Sequence, residues 1–168
     1  MFRRVVSAAA MALLLVSCAR HADAPEPVEQ TADVTTLALH FNAVTGLNPG
    51  ASGQPAPVRV RIYELKNTAS FMRADYFALA ERAQVTLGAD LIEQDEVLLQ
   101  PGQHLTLNRD LNPATRQIGL VVGYREIDQA RWRSVVAVVP RQASEFQVAL
   151  EARSVSSDPV APSTRPAQ

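Results

Sequence analysis

The chain has 168 residues, 16 Lys and Arg against 17 Asp and Glu, and 47% hydrophobic residues, of which few are aromatic. A net charge of −1 supplies no basic surface for nucleic acid, and no polybasic run marks a second membrane contact. A single cysteine excludes a disulfide within the chain, so the fold must stand on its apolar core alone.

The N-terminus reads in three parts. Arg3 and Arg4 are basic, Val5 to Val16 are mostly apolar or small, and Ser17-Cys18 follow. A helix over that apolar stretch rises only about 18 Å, against a hydrocarbon core of about 30 Å, so it is too short to span a membrane. The pattern is that of a secretory signal, expected over residues 1–17. Taken alone, Cys18 could be a core residue, a nucleophile, a metal ligand or an attachment point. Leu15-Val16-Ser17-Cys18 fits the bacterial lipobox, in which the Cys sulfur receives diacylglycerol, the chain is cut before it, and the new amine is acylated. An ordinary signal peptide with an incidental cysteine is the competing reading. Two or three acyl chains on Cys18 would hold the protein durably, whereas one alone binds only marginally. Ala19, which is not Asp, points to outer-membrane sorting.

Residues 18–33 then make a lipidated Cys and flexible tether, rich in Ala, Pro and acidic side chains with no apolar period. Residues 34–152 are expected to be one β-sandwich domain, and 153–168 a disordered C-terminal tail. In TTLALHF, Leu37, Leu39 and Phe41 share one face of a strand. In PVRVRIYEL, Val58, Val60 and Ile62 alternate with Arg59, Arg61 and Tyr63, which predicts one buried and one wet face. The stretch between them, Asn42 to Ala56, is long for a hairpin and full of Gly, Pro, Asn and Ser; such loops are more often functional than idle. Thr68 to Ala83 breaks the two-residue period and predicts one or two short helices, with Asp75 as a cap. Short strands near Glu96–Leu99 and His104–Leu107 flank a Pro101-Gly102 turn. Ile118, Leu120, Val122 and Tyr124 share a face, while Gly119 and Gly123 on the other imply close approach by a neighbour. RWRSVVAVV and SEFQVALEAR complete about seven strands, so the fold class is mainly β, a two-sheet sandwich with a short helical insertion.

Chemistry-bearing groups are sparse. His40 and His104 lack a second His or Cys at ligand spacing, so no metal site is expected. Asp90, Glu93, Asp95 and Glu96 read as a solvated face rather than an acid–base pair. Gly50-Ala51-Ser52-Gly53 is one residue short of a nucleophile elbow and lies in a loop. Arg131-Trp132-Arg133 reads as a packed Trp with edge arginines; stacking on a base or sugar is the other possibility. Neither catalysis nor a cofactor is expected, beyond the diacylglycerol and N-acyl lipid on Cys18.

Taken in order, the lipobox, Asn48-Pro49 in a long loop, PVRVRIYELK, FMRADYFAL, LGADL with Glu96, Pro101-Gly102, and IGLVVGYRE followed by Ala130-Arg131-Trp132-Arg133 resemble the TssJ (SciN/VasD) lipoproteins of the bacterial type VI secretion system. The resemblance covers most of residues 36–150. It implies a transthyretin-like β-sandwich anchored to the outer membrane and facing the periplasm. It also implies binding to the periplasmic domain of TssM, which with TssL completes an envelope-spanning complex. The family's association of the first interstrand loop with TssM contact maps onto Thr45, Gly46, Leu47, Asn48, Pro49 and Gly50. A stand-alone periplasmic ligand-binding or chaperone-like lipoprotein is the alternative.

Overall fold

Leu37, Leu39, Phe41 and Ala43 form a continuous buried row along the first strand, with a matching row from Val58 to Ile62 facing it across the core. The structure is a computed structural model and describes residues 34–160. Its strands are β1 (Thr35–Ala43), β2 (Val58–Leu65), β3 (Leu91–Leu99), β4 (His104–Leu111), β5 (Gln117–Val122), β6 (Arg133–Ala137), β7 (Ala143–Leu150) and β8 (Val155–Pro159). Helices α1 (Ala69–Arg73) and α2 (Tyr76–Leu87) lie between β2 and β3. The leader, Cys18, the tether to residue 33, and residues 161–168 lie outside the described residues.

Two four-stranded sheets pack face to face, in the orders β4-β1-β7-β8 and β3-β2-β5-β6. The β1–β7 pair is parallel and every other pair is antiparallel. Between the sheets, Leu37, Leu39, Phe41, Phe146, Val148 and Leu150 meet Val60, Ile62, Ile118, Leu120 and Val122. This is the sandwich the period-two rows predict, with eight strands rather than about seven. The additional strand, β8, corrects the expected tail starting at residue 153: Phe146 pairs with Pro159 and Leu150 with Val155. Its sequence, VSSDP, contributes only Val155 to the core and is held mainly by backbone pairing, so no alternating apolar signature marks it.

The outer face of the β2 sheet carries a third layer. Tyr63, predicted on the wet face, is fully buried with Leu65 and Val121 beneath Phe71, Leu79, Ala83 and Leu87. Its hydroxyl donates to the Leu79 carbonyl at 2.9 Å, fixing α2 to the sheet. Burial pushes this phenol up to about 12, so at neutral pH it is an uncharged donor. Only Arg59 and Arg61 keep the expected exposure pattern, at the uncovered end of the strand. Asp75 caps α2 as predicted, accepting from the Ala78 N–H at 2.8 Å. The close approach implied by Gly119 and Gly123 is present. A Cβ on Gly119 would lie 2.7 Å from the Phe71 ring, and one on Gly123 would lie 2.9 Å from the Tyr76 hydroxyl.

Side-chain contacts close the two open sides of the sandwich. Arg109 of β4 pairs with Asp95 of β3, and the Ser134 and Ser157 hydroxyls join β6 to β8. The Glu96 N–H, and after it the Arg109 guanidinium, hold the Asp95 carboxyl below its ordinary value. A carboxyl lowered on folding favours the fold above its unfolded pKa, and that contribution is lost as pH falls through the folded value.

The Gly119 contact gives a direct test of the helical layer. Gly119→Ala should destabilise the domain by about 1–3 kcal/mol through overpacking against Phe71, read as a lowered denaturant midpoint. An unchanged midpoint would mean that α1 does not press on β5 as described.

Candidate functional site

After Ala43 the chain leaves β1 and does not rejoin a sheet until Val58. This loop is folded onto the sandwich rather than splayed. Leu47 is completely buried in the main core. Asn48 adopts φ 50°, a left-handed conformation that Asn tolerates better than most residues, and is only 3% exposed. Its side-chain amide donates to the Pro57 carbonyl and its side-chain oxygen accepts the Arg125 N–H, each at 2.8 Å. Its own backbone N–H reaches the Ala152 carbonyl at 3.1 Å. One buried residue thus ties the loop to the β5–β6 connection through its side chain and to the β7–β8 connection through its backbone. From this base, Ala51 to Pro55 project as an exposed tip, turned by the Gly53 N–H bond to the Gly50 carbonyl at 2.8 Å.

Four connections converge at this end. The Gly102 N–H of the β3–β4 turn donates to the Val44 carbonyl, and the Ala43 N–H donates to the Gln103 carbonyl. The Tyr124 hydroxyl donates to the Ser154 carbonyl at 2.6 Å, which links the β5–β6 and β7–β8 segments. The start of β1 is at the other end, where the Arg141 N–H donates to the Thr35 hydroxyl at 2.8 Å. Nine residues of extended strand separate the two ends, about 30 Å.

Of the six residues predicted for partner contact, Thr45 and Gly46 are exposed, Pro49 and Gly50 are half-buried, and Leu47 and Asn48 are enclosed. Leu47 and Asn48 therefore brace the loop instead of offering a surface. The accessible residues also include Gln54 and Pro55 of the tip and Arg125, whose side chain lies against Gly50. The Gly/Pro/Asn composition marks the loop itself; nothing local in the sequence marks Arg125 as its neighbour.

The other candidate groups are occupied structurally. His40 lies on the outer face of the β1 sheet, bonded to the Thr106 hydroxyl at 3.0 Å and to the Glu145 carboxylate at 2.6 Å. The acidic cluster is dispersed: Asp90 accepts from the Ser70 hydroxyl, Asp95 faces Arg109, and Glu96 lies 3.7 Å from both Arg59 and Arg61. Trp132 packs edge-on to Tyr76, and the Arg133 guanidinium covers its ring at 4.9 Å. That guanidinium also donates to the Phe71 and Ala74 carbonyls, so it locks the helical layer to the β-sheet. Among the described residues, no group of three His, Cys, Asp or Glu side chains is arranged to hold a metal ion.

A family model described as type VI secretion lipoprotein, VasD, EvfM, TssJ matches residues 35–153. The T6SS lipoprotein TssJ1 from Pseudomonas aeruginosa is 44% identical, with a TM-score of 0.74 over 76% of this chain and 98% of that one. Serratia marcescens Lip, a membrane-bound component of the type VI secretion system, is 28% identical, with a TM-score of 0.69 over 76% and 97%. A chain in the solved structure described as the T6SS protein TssM C-terminal domain from EAEC is 32% identical, with a TM-score of 0.62 over 74% and 98%. No curated protein sequence matches.

The loop brace is testable by substitution at Asn48. Asn48→Ala should cost about 1–3 kcal/mol, because it leaves the part-buried Pro57 carbonyl and Arg125 N–H without their partner and puts an alanine at positive φ. Asn48→Gly restores the permitted φ but not the bonds and should cost less. Equal stability of all three proteins in urea titrations would contradict the brace.

Proposed function

This chain belongs to the type VI secretion lipoprotein family, and on that premise we propose that it ties the outer membrane to the inner-membrane TssL/TssM complex by binding the periplasmic domain of TssM. It is a structural lipoprotein of the secretion complex, not an enzyme. In the proposed arrangement residues 1–17 are removed, Cys18 carries the lipid that anchors the chain to the outer membrane, and residues 18–33 connect it to the sandwich in the periplasm.

The observation that carries this reading is the polarity of the domain. The chain enters at Thr35, while the braced loop and three further connections gather at the opposite end. An anchor attached before Thr35 and a partner held at the loop end would pull on opposite ends of β1, about 30 Å apart. The exposed tip from Ala51 to Pro55 then offers backbone groups and small side chains to a partner, and the flanking Arg125 adds a cation. Because Leu47 and Asn48 hold the loop base in place beforehand, little ordering entropy is lost when the partner binds. The alternative reading, a stand-alone ligand binder using Trp132, is disfavoured because Tyr76 and Arg133 already occupy that ring.

Binding to the cognate TssM periplasmic domain is the decisive test. A domain spanning residues 34–160, which includes β8, should bind it, and replacing Ala51 to Pro55 by a minimal turn should abolish binding while leaving the denaturant midpoint unchanged. Absence of binding by the intact domain would remove the mechanism. The anchor is tested separately: full-length Cys18→Ser should leave the membrane fraction and lose secretion, and continued secretion by a soluble form would contradict the tethering role.

A further inference from the structure

The sandwich has four strand edges, and three of them carry features that discourage further pairing. β3 bears Glu93, Asp95 and Glu96; β4 carries Asn108, Arg109 and Asp110; β8 holds Asp158 and Pro159. β6 differs. After its first residue, Arg133, an uncharged, mostly apolar run begins at Ser134, continues past the end of the strand at Ala137 to Val139, and stops at Pro140.

Its backbone phase can be read from the pairing with β5. The Val122 N–H donates to the Trp132 carbonyl at 2.7 Å and the Val138 N–H to the Arg116 carbonyl at 3.0 Å. With Gly119 opposite Val135 and Gln117 opposite Ala137, the even-numbered residues of β6 bond to β5 and the odd-numbered ones point outward. At Arg131 the outward groups are used: its N–H donates to the Arg153 carbonyl and its carbonyl accepts the Val155 N–H, both at 2.9 Å. Beyond that bridge the Ser134–Ser157 contact still joins β6 to β8, and past it an opening lies between Val135–Ala137 and Pro159–Val160. Among the described residues, the outward N–H and C=O of Val135 and Ala137 have no backbone partner. The opening between the strands is a cavity of about 520 Å³ lined by Val135, Val136, Val139, Phe146 and Val160.

We propose that this open β6 edge accepts an extended strand from a partner polypeptide, bonded to Val135 and Ala137, with apolar side chains seated on Val136 and Phe146. Two features select an extended chain as the occupant. The free donors and acceptors fall on alternate residues, which is the repeat of a β-strand and not of a helix. The same edge is also already used in strand fashion by residues 153–155, so an incoming strand continues a pairing the fold has begun. Pro159 has no N–H to offer on the facing strand, so the hydrogen bonds go to β6. This surface lies on the flank of the sandwich, and its use does not depend on the reading of the loop end.

The test is amide hydrogen exchange on the full chain, read by NMR, with a short synthetic peptide of alternating valine and threonine as the probe. In the free protein the Val135 and Ala137 amides should exchange rapidly at every protein concentration. Saturating peptide should slow both by about tenfold or more. An analogue N-methylated on every residue, unable to pair along either edge, should give no protection. Ala137→Pro removes only an outward N–H, so it should keep the fold and β5 pairing while losing the peptide effect. Four results would overturn the proposal: no protection by the unmodified peptide; equal protection by the methylated one; protection in the free chain, which means its own residues cover the edge; or protection rising with protein concentration alone, which means a second copy does.

Discussion

The pairing of β1 on both of its sides, along its whole length, is the constraint on which the rest of the structure depends. Eight register pairs tie it antiparallel to β4, and eight tie it parallel to β7. Its inward side chains, Leu37 to Ala43, form the centre of the core, so the strand cannot shift by one residue without turning that row to solvent. A strand fixed in this way sets the position of both its ends. One end receives the chain from residue 34, and the other delivers it into Val44 and the loop.

That geometry suits a connector. In the proposed attachment, tension between the lipid and a partner gripping the loop runs along β1, which is already extended and has little length left to give. If the partner also holds the neighbouring turns, the load shears the β1 ladders together and does not peel them one pair at a time. The loop base shares this firmness through the burial of Leu47 and the three bonds of Asn48. The helical layer does a separate task. It covers Tyr63 and Val121 on the second sheet, with Arg133 binding the end of α1 to β6, and leaves the first sheet's outer face polar and open.

Much of this was legible in the sequence, wherever a local pattern has one physical cause. The rows Leu37-Leu39-Phe41 and Phe146-Val148-Leu150 identify buried faces because a strand alternates. Gly119 and Gly123 mark an approaching neighbour, and Phe71 and Tyr76 fill those positions. What escaped is non-local. Tyr63 obeys the alternation of β2 yet is buried, because helices from a later segment fold back over it. β8 has too few apolar residues to signal a strand, and its pairing with β7 is a property of the backbone. The loop could be located from its Gly, Pro and Asn content, but which residues face outward could not. That division depends on Arg125 and Ala152, which lie far along the chain from Asn48 and meet it only in the fold.

The central claim is that the partner is held at the end remote from the chain's entry. Hydrogen–deuterium exchange with and without the cognate TssM periplasmic domain tests it most directly. The account predicts slowed exchange in residues 44–57, 101–103, 123–131 and 151–154, with the segments at 34–36, 112–116 and 138–142 unchanged. Protection confined to the entry end would contradict it.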